Sequence, residues 1–256
     1  MKIVVCVKSV PTQVTKVAVA EGHDRVSYEA GPFLINESDE YALEEAMALK
    51  NQYGGEVTVI TVGPLKTQQV LYVGLAKGAD KAIRIDADFA NGESTSKALA
   101  AALSNMEYDL ILTGVESSDA MAAQVGVSLA ERLGIPFAYA VTKVEKGEKE
   151  GTLRIAKEMG GGVEQVLEMS LPALMCIQVG IVPVNYTSLR KLLQARSKPV
   201  RCLTLTDLNI KDVGTREKQV ILVDISLAKR TRRAEMLAGA TSEVASVVVQ
   251  KIKGAL

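Results

Sequence analysis

The residues whose types and spacing point to chemistry lie in one stretch, GVESSDAMAAQVG, residues 114–126. An apolar run, Asp109-Leu110-Ile111-Leu112-Thr113, leads into it, and a helical pattern over residues 127–133 follows. A buried strand therefore leaves through Gly, Ser, Ser and Asp and enters a helix through small residues. Small residues let a ligand approach the backbone closely. Ala120, Met121, Ala122, Ala123, Gln124, Val125 and Gly126 then lead into a helix start, whose free N–H groups favour an anion such as phosphate. On spacing alone the plainer reading also stands: a tight loop with Ser118 or Asp119 capping the helix.

Little else has the form of a catalytic set. The single histidine, His23, lies in a polar stretch beside Asp24 and Arg25 and reads as a solvated loop residue. No nucleophile elbow, Walker loop or Gly-x-Gly-x-x-Gly follows the first strand. The acid pair Glu44-Glu45 reads as part of a solvated helix face. Cys6, Cys176 and Cys202 are too scattered for a disulfide framework or a zinc site, and Cys6 and Cys176 fall in apolar runs expected to bury them. This pattern favours a binding or carrier role over hydrolysis or group transfer. Scattered free thiols and the lack of a signal-like start imply a reducing cytoplasm.

The elements that must position the 114–126 stretch alternate in type. The 256 residues are 48% hydrophobic and 23% charged with zero formal net charge, which suits a sizeable core and gives no electrostatic reason to expect nucleic-acid binding. No run approaches the length of a membrane span. Strand-like runs at 3–7, 57–62, 82–85 and 109–113 alternate with helical spacing over 38–53, 70–75, 99–103 and 127–133. That order predicts an α/β fold, a doubly wound, mostly parallel sheet covered on both faces. Four further strands, 140–144, 152–156, 163–168 and 173–178, read as an antiparallel extension. Residues 1–228 read as one nucleotide-binding domain and 229–256 as a C-terminal arm ending in an amphipathic helix, 244–252. In an open parallel sheet ligands bind outside the carboxyl ends of strands. The ends at Cys6-Val7-Lys8 and Val62-Gly63-Pro64, with Asn36 at a strong helix start, face the same way as 114–126.

In chain order VVCVKSVP, NESDEYALEEA, VITVGP, GLAKGAD, DLILTGVESSD, LAERLGIP and LPALMC resemble the β subunit of electron transfer flavoproteins over nearly the whole chain. Ile155, Lys157, Gly161, Gly162, Gln165, Leu167, Pro172, Leu174, Met175 and Cys176 fit that family's signature, and Gly160 departs from it where an acidic residue is usual. The resemblance implies a heterodimer with an α subunit, FAD shared with that subunit, and no self-sufficient enzyme activity. It implies a second nucleotide in this chain, AMP in housekeeping members or a second FAD in bifurcating ones. The positions carried over are Cys6, Asn36, Glu37, Ser38, Asp39, Val62, Asp119 and Ala120, then Met121, Ala122, Ala123, Gln124, Val125 and Gly126, and finally Val127, Ser128, Leu129 and Ala130. Gln124-Val125-Gly126 matches the bifurcating pattern, while Ala122 and Val127 replace its Thr and Pro.

The resemblance also assigns the segment VNYTSLRKLLQARSKPVR, residues 184–201, to partner recognition, with Leu189 as an apolar anchor on a flavin dehydrogenase of acyl-CoA dehydrogenase type. Read without it, Leu189, Leu192 and Leu193 simply dock a helix on the core. The electron acceptor would be a quinone-linked oxidoreductase, ferredoxin or NAD. A second class stays open from the residues themselves: a stand-alone adenine-nucleotide sensor without redox work.

Overall fold

Runs such as Ile3-Val4-Val5 point alternate side chains to opposite faces, and both sets are apolar, so each strand needs cover on two sides. The computed structural model describes residues 1–12, 17–19, 26–28, 31–89, 91–211, 225–226 and 234–254. The first part of the chain gives β1 (Lys2–Cys6), β2 (Ser9–Pro11), β3 (Val17–Val19), β4 (Val26–Tyr28), β5 (Phe33–Ile35), α1 (Glu37–Tyr53) and β6 (Glu56–Val62). Then come α2 (Gln69–Lys77), β7 (Lys81–Asp86), α3 (Gly92–Leu103), β8 (Leu110–Gly114), α4 (Val125–Leu133) and β9 (Phe137–Lys146). The last part gives β10 (Thr152–Glu158), β11 (Glu164–Ser170), β12 (Ala173–Ile177), α5 (Leu189–Ala195), β13 (Arg201–Thr204) and α6 (Thr241–Lys253). His23 and the basic break around residues 229–233 lie outside the described residues.

Among the described residues, nine strands make one sheet in the order β11-β10-β9-β12-β8-β1-β6-β7-β13. One face buries Val5, Val59 and Leu112 under α1 and α2; the other buries Val4, Ile60 and Ile111 under α3 and α4. This is the expected α/β fold. The chain runs outward from β1 through β6 to β7, then returns to pair β8 on β1's other side. The crevice between β1 and β8 is therefore the topological switch point.

The extension differs from the expectation. β9–β10 and β10–β11 pair antiparallel, but β12 inserts parallel between β8 and β9. The reason is burial. All five residues of β12 are buried, which suits the sheet interior, whereas β11 exposes most of its residues and forms an edge. β13, unforeseen within the stretch that follows Leu189, pairs parallel on β7.

The chain divides into two units, Met1–Lys16 with Tyr28–Ile221, and Val17–Ser27 with Leu222–Leu256. The first holds the sheet. The second holds β3 and α6, and Lys251 of α6 pairs with Glu235 at 2.8 Å.

Glu44 and Glu45, expected in solvent, are 5% and 4% exposed. Glu44 is covered because Lys77 and Asn185 close over it. Burial alone lifts the Glu45 carboxyl to about 7 from an ordinary 4.5. The folded state then holds this proton more tightly than the unfolded chain does, so stability falls as pH rises through that window. Glu45→Gln should flatten the decline between pH 4.5 and 7 and leave the protein more stable than wild type above pH 7. Urea denaturation at several pH values measures this, and parallel curves for the two proteins would contradict it.

Candidate functional site

At the switch point the backbones of β1 and β8 diverge, and the Lys8 and Gly114 amides bond to a side chain instead of a strand. Asp39, in the first turn of α1, takes both. One carboxylate oxygen accepts from the Lys8 N–H at 2.8 Å, and the other from the Gly114 N–H at 2.9 Å. Burial pushes the Asp39 carboxyl up to about 6, against the pull of these N–H groups. This approach requires glycine: a Cβ at Gly114 would overlap Ser38 Oγ and Asp39 Oδ1. The glycine expected to admit a ligand thus admits the start of α1.

Asn36 and Ser38 hold the next turn of the same loop. Asn36 Nδ2 donates to the Glu116 carbonyl at 2.8 Å, Ser38 Oγ donates to it at 2.6 Å, and the Ser118 N–H donates to Asn36 Oδ1 at 3.1 Å. Asn36 starts α1, as its position implied, but its side chain caps nothing there because it is committed to the loop. Lys8 closes the arrangement. Its Nζ donates to Ser117 Oγ at 3.1 Å and pairs with Asp119 at 2.6 Å. Lys8 was named at the end of the first strand but not among the site residues. A lysine one residue past a buried strand at the carboxyl edge was the available signal.

The helix of the opening stretch begins only at Val125. Residues 120–124 form an exposed or half-buried loop in which Met121 and Ala123 have φ of 47° and 51°. Neither Ser118 nor Asp119 caps α4: its N-cap is Gln124, with no side-chain hydrogen bond. By contrast, Asn91 caps α3 by accepting from the Ser94 N–H at 2.8 Å. An uncapped helix start is suited to an anion.

α4 is drawn onto the sheet by Gly126, where a Cβ would come 2.5 Å from Cys176 Sγ and 2.8 Å from Thr113 Oγ1. Hydrogen bonds thus join Asn36, Ser38, Asp39 and Asp119 into one cluster, while Glu37 is exposed outside it. Val62, Cys6 and Val125 share one face of the sheet, packed with Leu129 and Ala130. Leu129 and Ala130 are fully buried and serve packing. Val127 and Ser128 are half-buried on α4. Burial raises both thiols, Cys176 to about 11, so neither is a nucleophile near neutral pH.

A cavity of about 700 Å³ opens elsewhere, at the amino ends of β1, β6 and β7. Of the cations lining it, Lys2 pairs with Glu107 and Lys81 with Glu56.

In the segment after β12, Leu189 is 67% exposed and Leu193 is 55% exposed, while Ala195 is buried at 1%. Leu192 is half-buried. The helix α5 therefore docks by Leu192 and Ala195 and presents Leu189 and Leu193 outward.

The family model for the electron transfer flavoprotein domain matches residues 25–208. The electron transfer flavoprotein subunit beta of Clostridium acetobutylicum is 35% identical over 99% of this chain and 98% of its own length. That of Methylophilus methylotrophus is 33% identical over 98% of each. Protein FixA of Azotobacter vinelandii is 32% identical over 93% of this chain and 88% of its own.

Gly114→Ala should cost about 1–3 kcal/mol of stability, the usual penalty for overpacking a close contact. It should also detach Asp39 from the Gly114 amide. Chemical denaturation reads the first effect, and an unchanged midpoint would show that the close approach carries no strain.

Proposed function

The chain belongs to the electron transfer flavoprotein family, on its β-subunit side, and from that premise we propose that it works in a heterodimer that carries electrons from a flavin dehydrogenase to a downstream acceptor. The observation that carries the site assignment is the uncapped start of α4, reached from the carboxyl end of β8 through the loop that Lys8 fastens at Ser117 and Asp119. An adenine nucleotide fits there. The amides at the start of α4 would hold its phosphate, and the Lys8 ammonium would have to exchange Asp119 for it. Ala120, Ala122 and Ala123 leave room for backbone contacts. Asn36, Ser38 and Asp39 would act on it indirectly, by fixing the 114–119 loop.

FAD shared with an α subunit supplies the redox chemistry when bound. This chain's residues hold, orient and shield. Its second nucleotide is AMP, or a second FAD if the complex bifurcates electrons; the Gln124-Val125-Gly126 match supports the latter and Ala122 and Val127 support the former. The C-terminal segment 229–256 is an arm for the α subunit, a reading supported by the exposed Val247, Val248, Val249 and Ile252 of α6. Leu189 is the anchor for an acyl-CoA dehydrogenase-type partner, supported by its exposure amid Arg190, Lys191 and Arg196.

Co-expression with an α subunit should yield a yellow heterodimer; a colourless chain that leaves the α subunit unbound would refute the carrier reading in favour of a stand-alone sensor. Truncation before residue 229 should weaken subunit affinity while the sheet stays folded. In the complex, Leu189→Ala should lower dehydrogenase affinity by about 2 kcal/mol, roughly thirtyfold, as truncating a central anchor does. The flavin spectrum and the thermal midpoint should stay unchanged, whereas a large stability loss with normal electron transfer would make Leu189 a core residue.

A further inference from the structure

A buried ion pair stands next to the segment that carries Leu189. Lys77, at the end of α2, is 4% exposed in its side chain; it pairs with Glu44 at 2.5 Å, itself 5% exposed, and with Glu40 at 3.0 Å. Desolvating two charges offsets most of what their attraction gains, so such a pair is weak evidence of a stabilising role. Its remaining hydrogen bonds go to a single residue. Glu44 accepts from the Asn185 N–H at 3.1 Å and from Asn185 Nδ2 at 2.8 Å, and Lys77 Nζ donates to the Asn185 carbonyl at 2.7 Å. Backbone donor, backbone acceptor and side-chain amide of Asn185 are all engaged by one pair of charges.

The next residue, Tyr186, is 91% exposed, and Leu189 follows at 67%. On the far side of α5, Lys198 Nζ donates to the Leu75 carbonyl of α2 at 3.3 Å. The segment is thus tied at both ends to the last turns of α2, and between the ties Leu192 and Ala195 dock while Tyr186, Leu189 and Leu193 stand in water. Without the Asn185 tie, residues 184–189 ahead of the docked part of α5 would have to be ordered on binding, and that ordering subtracts from affinity.

We propose that the Glu44–Lys77 pair, acting through Asn185, is the positioning element that holds Tyr186 and Leu189 ready for a partner with an apolar pocket and an acidic rim. The proposal rests on the docking role assigned to Leu189. Asn185 is the residue to change, because it leaves the ion pair itself intact. Asn185→Ala removes the side-chain bond, and Asn185→Asp sets a carboxylate against Glu44.

Both variants would be made in the purified heterodimer. Amide hydrogen exchange would be followed across the chain, and affinity measured for a purified acyl-CoA dehydrogenase. In Asn185→Asp the amides of residues 184–193 should exchange about tenfold faster or more, the scale of one lost charge-assisted hydrogen bond. Those of β1, β6 and β8 should not change, and dehydrogenase affinity should fall severalfold. Asn185→Ala should give the same pattern at smaller amplitude. Unchanged exchange at 184–193 in both variants, or faster exchange spread equally over the sheet, would overturn the positioning role. Leu189→Ala measured in parallel separates the two readings. Weak binding by Leu189→Ala with normal binding by Asn185→Asp would overturn positioning alone, and normal binding by both would overturn the docking role beneath it.

Discussion

Two backbone amides with no strand to bond to set the terms for this molecule. The chains leaving β1 and β8 part at the switch point, and the Lys8 and Gly114 N–H groups face a crevice rather than a neighbour. A buried amide left unpaired costs about as much as a lost hydrogen bond. One carboxylate meets both, and the rest follows from where that carboxylate must be. Asp39 has to enter from the first turn of α1, so α1 starts over the crevice. Gly114 has to lack a side chain. Asn36 and Ser38, three residues and one residue before Asp39, then reach the 116–118 segment and hold the loop that delivers the chain to α4.

α1 carries two duties a few residues apart. Asn36, Ser38 and Asp39 face the crevice, and Glu40 and Glu44 reach Lys77 at the end of α2. The helix that shapes the candidate nucleotide site thus also anchors the segment bearing Leu189. Both duties place acidic groups where water is scarce. Burial raises Asp39 to about 6, and Glu44 carries the direct cation Lys77. The fold accepts these desolvated charges at the places where loops have to be fastened, in keeping with polar groups being retained for geometry more than for stability.

The sheet was legible because strands buried on both faces are continuously apolar, and the crossing helices carry helical spacing between them. β12 was misread as antiparallel because pairing direction leaves no mark in a short apolar run; its complete burial is what places it inside the sheet. Glu44-Glu45 was misread because a charged pair on a helix is ordinarily solvated; the fold covers both, Glu44 with Lys77 as its tertiary partner. The carboxyl edge was named as the place where strand ends converge, but the hydrogen-bonded cluster there, with Lys8 in it, was not. Gly114 reads as room for a ligand until Asp39 is seen filling it. The helix start lay at Val125 because the 120–124 loop takes left-handed turns at Met121 and Ala123, residues whose types do not announce that conformation.

The proposed role of the α4 start is to hold a nucleotide phosphate, with Lys8 and amides that no side chain caps. The most direct measurement is to denature the purified heterodimer and count FAD and AMP released per complex, for wild type and for Lys8→Met and Lys8→Arg. The account predicts one adenine nucleotide in wild type beyond the flavin shared with the α subunit. It predicts substantial loss of that nucleotide in Lys8→Met, retention in Lys8→Arg, and unchanged shared flavin in both. Full nucleotide content in Lys8→Met, with the same salt sensitivity as wild type, would contradict it.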